Sequence, residues 1–512
     1  MAGLTRAYKF ALIGLVASYS LLAQAPAAAA DGVKISSGLV DYQVLQRDHR
    51  GVGAAIFNGT APARFNTRFV EARVTKESAE AVPWSVIGPI KTGKWTGSLP
   101  NIPMGGPYQI EVRVSTPQGP SPIVKVDNIL VGDLWVLAGQ SNMEGVGNLA
   151  DASKPSGEVH SFDMTDIWGI AKDPLHTLPS AIDSVHWDKK VRLSGEDLEK
   201  FVANRTKGVG PGLSFAINMY QRTAIPVGLI PCAHGGTRMD QWDPAKKSEA
   251  GASLYGATLR RIQAVGGKIK GVLWYQGEAD ASVTLAPLFQ SKFENLIQAF
   301  RTDTGQPDLP FYYVQIGLHV SNGTPAPWND VQEAQRVVES KKMPNVGMAA
   351  AVDVALDDQI HVGGMDQLRI GRRLAALAAH DLYPDSAKEN AAIKRGPRPV
   401  KAQYANRVIR VTFNEVNGQL IAEGRIAGFV VVNAENQPVP TIYKAKFDPK
   451  DGNVIDLETY GDIPPGSKLR YGVGRNPYCN VRDTADMALP VFGPFPIEGI
   501  PPAATAAPNT KP

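Results

Sequence analysis

Cysteine is almost absent from this chain: Cys232 and Cys479 are the only two in 512 residues. That excludes a disulfide-built scaffold and a Cys-rich metal centre, and leaves a single Cys232–Cys479 bridge and two buried thiols equally open. Charge of one sign is also missing. The formal net charge is +4, and setting aside Arg6 and Lys9 of the amino-terminal segment leaves +2. Neither nucleic acid nor an anionic membrane surface is therefore an expected partner. Past residue 30 no apolar run reaches the roughly 18 residues that a membrane span needs.

Several motifs are lacking as well. Met143 stands where Gly-x-Ser-x-Gly would need its last glycine, which argues against an α/β-hydrolase nucleophile elbow. The eight histidines form no His-x-x-x-His pair, and no glycine-rich loop ends in Lys-Ser/Thr. Zinc hydrolysis and phosphate cradling lose their usual residues. No internal repeat is visible.

What is present begins with a three-part leader. Arg6 and Lys9 precede an apolar stretch from Phe10 to Ala23, and Ala28, Ala29 and Ala30 come before Asp31. Residues 1–30 read as a secretory signal peptide cleaved near Ala30, with no cysteine for lipid attachment. A periplasmic or secreted protein is expected.

Beyond the leader the periodicity changes twice. Residues 31–127 alternate in the manner of strands, with Tyr108, Ile110, Val112 and Val114 on one face, and dense Gly-Pro turns suggest a β-sandwich-like domain. Residues 128–390 alternate short apolar runs with helical periods. The runs are Leu134–Ala138, Val227–Ile230, Val272–Tyr275, Phe311–Ile316 and Met348–Val352; the helical periods include Leu213, Ile217 and Tyr220, and Ala286 to Arg301. Largely apolar strands alternating with helices imply an α/β, doubly wound parallel sheet. Residues 395–500 return to β patterning as a carboxyl-terminal module, and the Ala/Pro-rich tail 501–512 is expected to be disordered.

The chain is organised around Gly139-Gln140-Ser141-Asn142-Met143, which follows the apolar run ending at Ala138. Ligands of a doubly wound sheet bind beyond the carboxyl ends of its strands, where Ser141 would lie. Three other strand ends carry His234-Gly235-Gly236-Thr237, Gln276-Gly277-Glu278 with Asp280, and Asp353, Asp357, Asp358 with His361. Together these residue types suit acyl transfer. A serine attacks an acyl carbon when an imidazole takes its proton, and a carboxylate behind the ring fixes the tautomer. Ser141, His361 and Asp358 are the candidates, Asp358 being three residues before the histidine and Asp357 or Asp353 its substitutes. Backbone N–H groups of Ser141 and of Gly235 or Gly236, with the Gln276 amide, could receive the oxyanion. Glu278 and Asp280 are read as braces for Gln276 or as helix caps.

Gly132-Asp133-Leu134-Trp135 through Gly139-Gln140-Ser141-Asn142-Met143-Glu144, together with Trp274-Tyr275-Gln276-Gly277-Glu278 and His234-Gly235-Gly236-Thr237, resembles the sialate O-acetylesterase family of the SGNH-hydrolase superfamily. Val44-Leu45-Gln46-Arg47 and Gly105-Gly106-Pro107-Tyr108 extend the resemblance towards the amino terminus, and Tyr471-Gly472 with Asn476-Pro477-Tyr478-Cys479-Asn480 towards the carboxyl terminus. The resemblance implies an SGNH-hydrolase-like α/β domain flanked by β modules and hydrolysis of O-acetyl groups on a carbohydrate without a cofactor. It also implies Ser141 as nucleophile, His361 as base, and Gly236 and Gln276 at the oxyanion positions. Where many members read Asp-Ile-His-Pro, this chain has Gln359-Ile360-His361-Val362, which moves the nearest acid to Asp358. Sialate is the first expectation for the sugar and acetylxylan the alternative, with a noncatalytic glycan-binding protein as the rival class. Arg238 is a candidate for a sugar carboxylate, and His234 for a neighbouring substrate contact.

Overall fold

In this computed structural model the described residues are 32–187, 190–340 and 343–500. The expected signal peptide and the expected disordered tail lie outside them. Among the described residues no helix is long and apolar enough to cross a membrane.

The amino-terminal strands form two antiparallel layers. Lys34–Ser37, Val52–Thr60 and Lys94–Pro103 pair in one; Phe69–Lys76, Ala79–Lys91 and Gly105–Val114 pair in the other. The long strand Ala79–Lys91 turns the corner, since its last two residues pair with Lys94 and Trp95. Alternate residues such as Ala55, Phe57, Val70, Val74, Trp95, Ile110 and Val112 meet in one core, as a period of two requires.

Strand β1, Val124–Gly139, joins this layer pair to the next domain without a linker. Its first half runs antiparallel to Gly105–Val114 and parallel to Val44–Gln46, and its second half is the middle strand of a parallel sheet. The break expected between residues 127 and 128 thus falls inside a continuous strand. At its midpoint buried Asp133 accepts hydrogen bonds from Arg47 (3.0 and 3.1 Å) and from the Tyr383 hydroxyl, tying both flanks to the strand.

Among the described residues the parallel sheet has six strands, in the order β2 (Val159–Phe162), β3 (Val227–Pro231), β1, β4 (Gly271–Tyr275), β5 (Phe311–Gln315) and β6 (Val346–Ala350). The chain steps to one side of β1 and then to the other, so β1 marks the topological switch point. Strand β2 is the one the sequence did not show, because its four residues, Val-His-Ser-Phe, carry two polar side chains into a buried position. Registry places Trp274 beside Ala138 and hence on the face opposite Trp135. Trp135 packs edge-on against Phe215 of helix Pro211–Thr223, and Trp274 stacks near Phe293 of helix Ala286–Thr304, so helices cover both faces.

The carboxyl-terminal module pairs one sheet (Arg398–Ala405, Val408–Asn414, Ile442–Phe447, Val454–Thr459) with another (Phe429–Val432, Pro438–Val439, Lys468–Tyr471, Phe492–Pro496). Its core includes Ile409, Leu457, Leu469, Tyr471 and Cys479. Cys232 lies in the α/β core instead, and the two thiols are free and buried. Arg369 and Arg373 reach Asp486 of this module while also holding Asp353.

Candidate active site

The site starts where β1 ends. Gly139 has φ +129°, and a Cβ there would sit 2.2 Å from the Tyr275 carbonyl oxygen, so only glycine lets β1 and β4 lie this close at their ends. The Gln140 N–H then donates to that same carbonyl (2.8 Å), and the chain enters a single helical turn, α1, Ser141–Glu144. Ser141 is its first residue, so its N–H has no intrahelical acceptor.

The histidine comes from the loop after β6. His361 Nε2 lies 2.9 Å from Ser141 Oγ, and His361 Nδ1 lies 2.8 Å from Asp358 Oδ2. Burial pushes the Asp358 carboxyl up, but the Ile360 and His361 N–H groups on Oδ1 and the imidazole on Oδ2 more than offset it and hold the group down at about 2. An ionised carboxylate only accepts, so Nδ1 carries the proton and Nε2 is left to accept from the serine hydroxyl. Asp358 is 41% exposed in its side chain against 27% for His361, so the acid sits outside the base. Asp357 meets the histidine only through its backbone N–H, which donates to the His361 carbonyl. Asp353 is occupied by Arg369 and Arg373 (2.8 and 2.7 Å). Of the three acids considered, Asp358 alone has its carboxylate on the ring.

Asn142, which the sequence offered only as part of a motif, joins the two halves. Its Oδ1 accepts from Val362 N–H (3.0 Å) and Gln367 Nε2 (3.2 Å), and its Nδ2 donates to Glu278 Oε1 (2.9 Å). Glu278 therefore braces Asn142 and not Gln276. Burial raises its carboxyl's pKa.

The expected oxyanion donors divide. Gly235 N–H donates to Glu144 Oε2 (2.8 Å). Gln276 Nε2 donates to Asp280 Oδ2 (2.6 Å) and to the Thr237 carbonyl (3.1 Å), which uses both of its hydrogens. Asp280 braces Gln276 as expected, and so completely that the amide is not free. Among the described residues no hydrogen bond engages Gly236 N–H, and Gly236 takes φ +69°. The donors left for an oxyanion are the N–H groups of Ser141 and Gly236.

Two further expectations meet partners. Arg238 is half-exposed and forms a two-point pair with Asp240 (3.2 Å each). His234 stacks on buried His186, with Nδ1 atoms 3.2 Å apart. Burial lowers the pKa of both rings, that of His186 further. Asp173, His176 and Arg205 form a buried polar group behind the glycine loop that the sequence reading did not single out. Burial drives Asp173 up to about 7 against the pull of Arg205, and drives His176 down to about 3. Each is an isolated polar residue in the sequence, with no spacing to signal the cluster.

A hydrogen-bonded serine–imidazole–carboxylate chain at the switch point of an α/β sheet is suited to acyl transfer, and comparison with known proteins gives the class: the chain is a carboxylic ester hydrolase. Residues 131–380 match the family described as carbohydrate esterase, sialic acid-specific acetylesterase. The chain is a relative of the sialate O-acetylesterases. It is 23% identical over 472 residues to sialate O-acetylesterase of Rattus norvegicus, covering 77% of this chain and 81% of that one. A probable carbohydrate esterase of Arabidopsis thaliana is 28% identical over 265 residues, 47% of this chain and 88% of the plant chain. The fold is shared with a solved carbohydrate acetylesterase from Xanthomonas citri (TM-score 0.63, 22% identity, covering 90% of this chain and 99% of that one).

Proposed function

We propose that the protein is an exported serine esterase with an SGNH-hydrolase-like catalytic domain spanning residues 128–390, and that it removes O-acetyl groups from a sugar, sialic acid first among them. The observation that carries the reading is the hydrogen-bonded chain Ser141 Oγ, His361 and Asp358.

In this mechanism His361 Nε2 takes the hydroxyl proton as Ser141 Oγ attacks the acetyl carbon. Asp358 steadies the imidazolium that forms, and the N–H groups of Ser141 and Gly236 receive the negative oxygen. His361 then returns its proton to the departing sugar oxygen. Water, deprotonated by the same nitrogen, releases acetate from the serine. Gln276, held by Asp280, shapes the wall of the site in this scheme.

Deacetylation of a neutral polysaccharide such as acetylated xylan is the second reading. It is favoured by Arg238, whose guanidinium is already paired with Asp240. The deciding experiment is acetate release by the mature protein and by Ser141→Ala from O-acetylated sialic acid and acetylated xylan. Release from sialate that disappears in the variant supports the first reading, and preference for xylan supports the second. Release unaffected by the substitution removes Ser141 as nucleophile.

A further inference from the structure

Glu144 has no place in the scheme above, yet its carboxylate lies within the site. The loop after β3 is pinned one amide at a time. Ala233 N–H donates to His176 Nε2 (3.1 Å), His234 N–H to the Gly139 carbonyl (3.0 Å) and Gly235 N–H to Glu144 Oε2 (2.8 Å). Gly236 N–H is the next in line and the first without an acceptor among the described residues. The loop also lies directly over the nucleophile turn: a Cβ on Gly235 would be 3.1 Å from Glu144 Oε2 and 3.5 Å from Ser141 Cβ. Two successive glycines sample far more backbone conformations than other residues. An untethered Gly235-Gly236 peptide would therefore spend much of its time with its N–H turned away from a forming oxyanion.

We propose that Glu144 is a positioning residue for the oxyanion hole: by gripping Gly235 N–H from the same helical turn that carries Ser141, it fixes the distance between the Ser141 and Gly236 amides. The inference rests on Ser141 being the nucleophile. Glu144 and Ser141 are three residues apart on one turn, so the two donors move as a unit. Arg205 supports the other anchor, donating through Nη1 to the His176 carbonyl (2.7 Å) and through Nε to the Lys207 carbonyl (2.7 Å). The task of Glu144 is to accept one hydrogen bond at a given reach, and an uncharged amide oxygen can do the same.

The test compares Glu144→Ala, Glu144→Gln and Glu144→Asp in the full mature chain. It uses steady-state kinetics on an aryl acetate and the rate of serine phosphonylation by an aryl phosphonate. Glu144→Ala is expected to lose about 100-fold in kcat, near the effect of deleting one oxyanion donor, with KM little changed. Glu144→Asp, whose carboxylate is drawn back by one methylene, should fall with it, whereas Glu144→Gln should recover to within about five-fold of wild type on the same scale. Phosphonylation, which passes through a similar charged oxygen, should slow in the same order. If Glu144→Ala does not fold, the order of the other two decides. Wild-type kcat in Glu144→Asp, a loss confined to KM, or Glu144→Gln as slow as Glu144→Asp would overturn the assignment. A wild-type protein inert to the phosphonate would instead remove the serine esterase reading on which it rests.

Discussion

The two sides of the site are built in different ways. On the acid–base side Asp358 and His361 are three residues apart in one loop, and the carboxylate caps two N–H groups of that loop before it touches the ring. Local geometry settles it. On the oxyanion side every donor comes from a different strand end, and whether a donor is free depends on what distant side chains have taken. Glu144 holds Gly235, and Asp280 with the Thr237 carbonyl holds Gln276. A motif identifies the residues of such a side without telling which of their hydrogens remain available.

Substitutions can break this comparison, beginning with the acid–base side. His361→Ala should cost about 10⁴- to 10⁶-fold in kcat with KM nearly unchanged, measured on any acetyl ester the wild type cleaves. The neighbouring acids should separate next. Asp358→Asn should lower kcat by about 10³-fold or more with stability preserved, because it upsets the ring tautomer. Asp353→Asn should retain the chemistry and lose roughly 3 kcal/mol in denaturant unfolding, since it strips a partner from buried Arg373. If Asp353→Asn were the dead enzyme and Asp358→Asn the active one, the local assignment would be wrong.

The oxyanion side should respond more mildly. Asp280→Ala frees the Gln276 amide and removes its anchor, and kcat should fall about ten-fold, within the range of a disturbed donor. A rise in rate would mean that Gln276 becomes a donor once released. The smallest expected effect concerns Asp173, which burial raises to about 7. The folded state keeps this proton up to about pH 7, whereas an unfolded carboxyl gives it up near 4, so this group's contribution to stability falls as pH rises from about 4 to 7 and is level above. Asp173→Asn, fixed in the neutral form, should raise Tm at pH 8 by on the order of 1–3 °C and leave it unchanged at pH 4.

Much of the architecture was legible because it follows from periodicity. Each of the five apolar runs between Leu134 and Val352 falls on a strand, although the last two strands end at Gln315 and Ala350, short of the runs, and the helical period from Ala286 to Arg301 becomes helix Ala286–Thr304. Strand β2 was hidden by His160 and Ser161, and the continuity of β1 by its change of partners, because sequence shows which residues favour extension and not what they pair with. Asn142 and Glu144 stood in plain view inside the nucleophile motif. Their work lies in contacts with Val362, Glu278 and Gly235, up to 220 residues away in the chain.

By itself the sequence determined the alternation of β, α/β and β regions, the strand end that carries Ser141, and the three-residue spacing that put Asp358 first among the candidate acids for His361. Apolar period and a three-residue spacing are properties of short stretches of backbone. Only the tertiary structure decided that β1 belongs to two layers at once, that the cysteines lie in separate cores, and that Gly236 keeps its N–H while Gly235 and Gln276 spend theirs. Each of those outcomes is a competition among groups far apart in the chain for the same donor, acceptor or space, and it is resolved when packing brings them together.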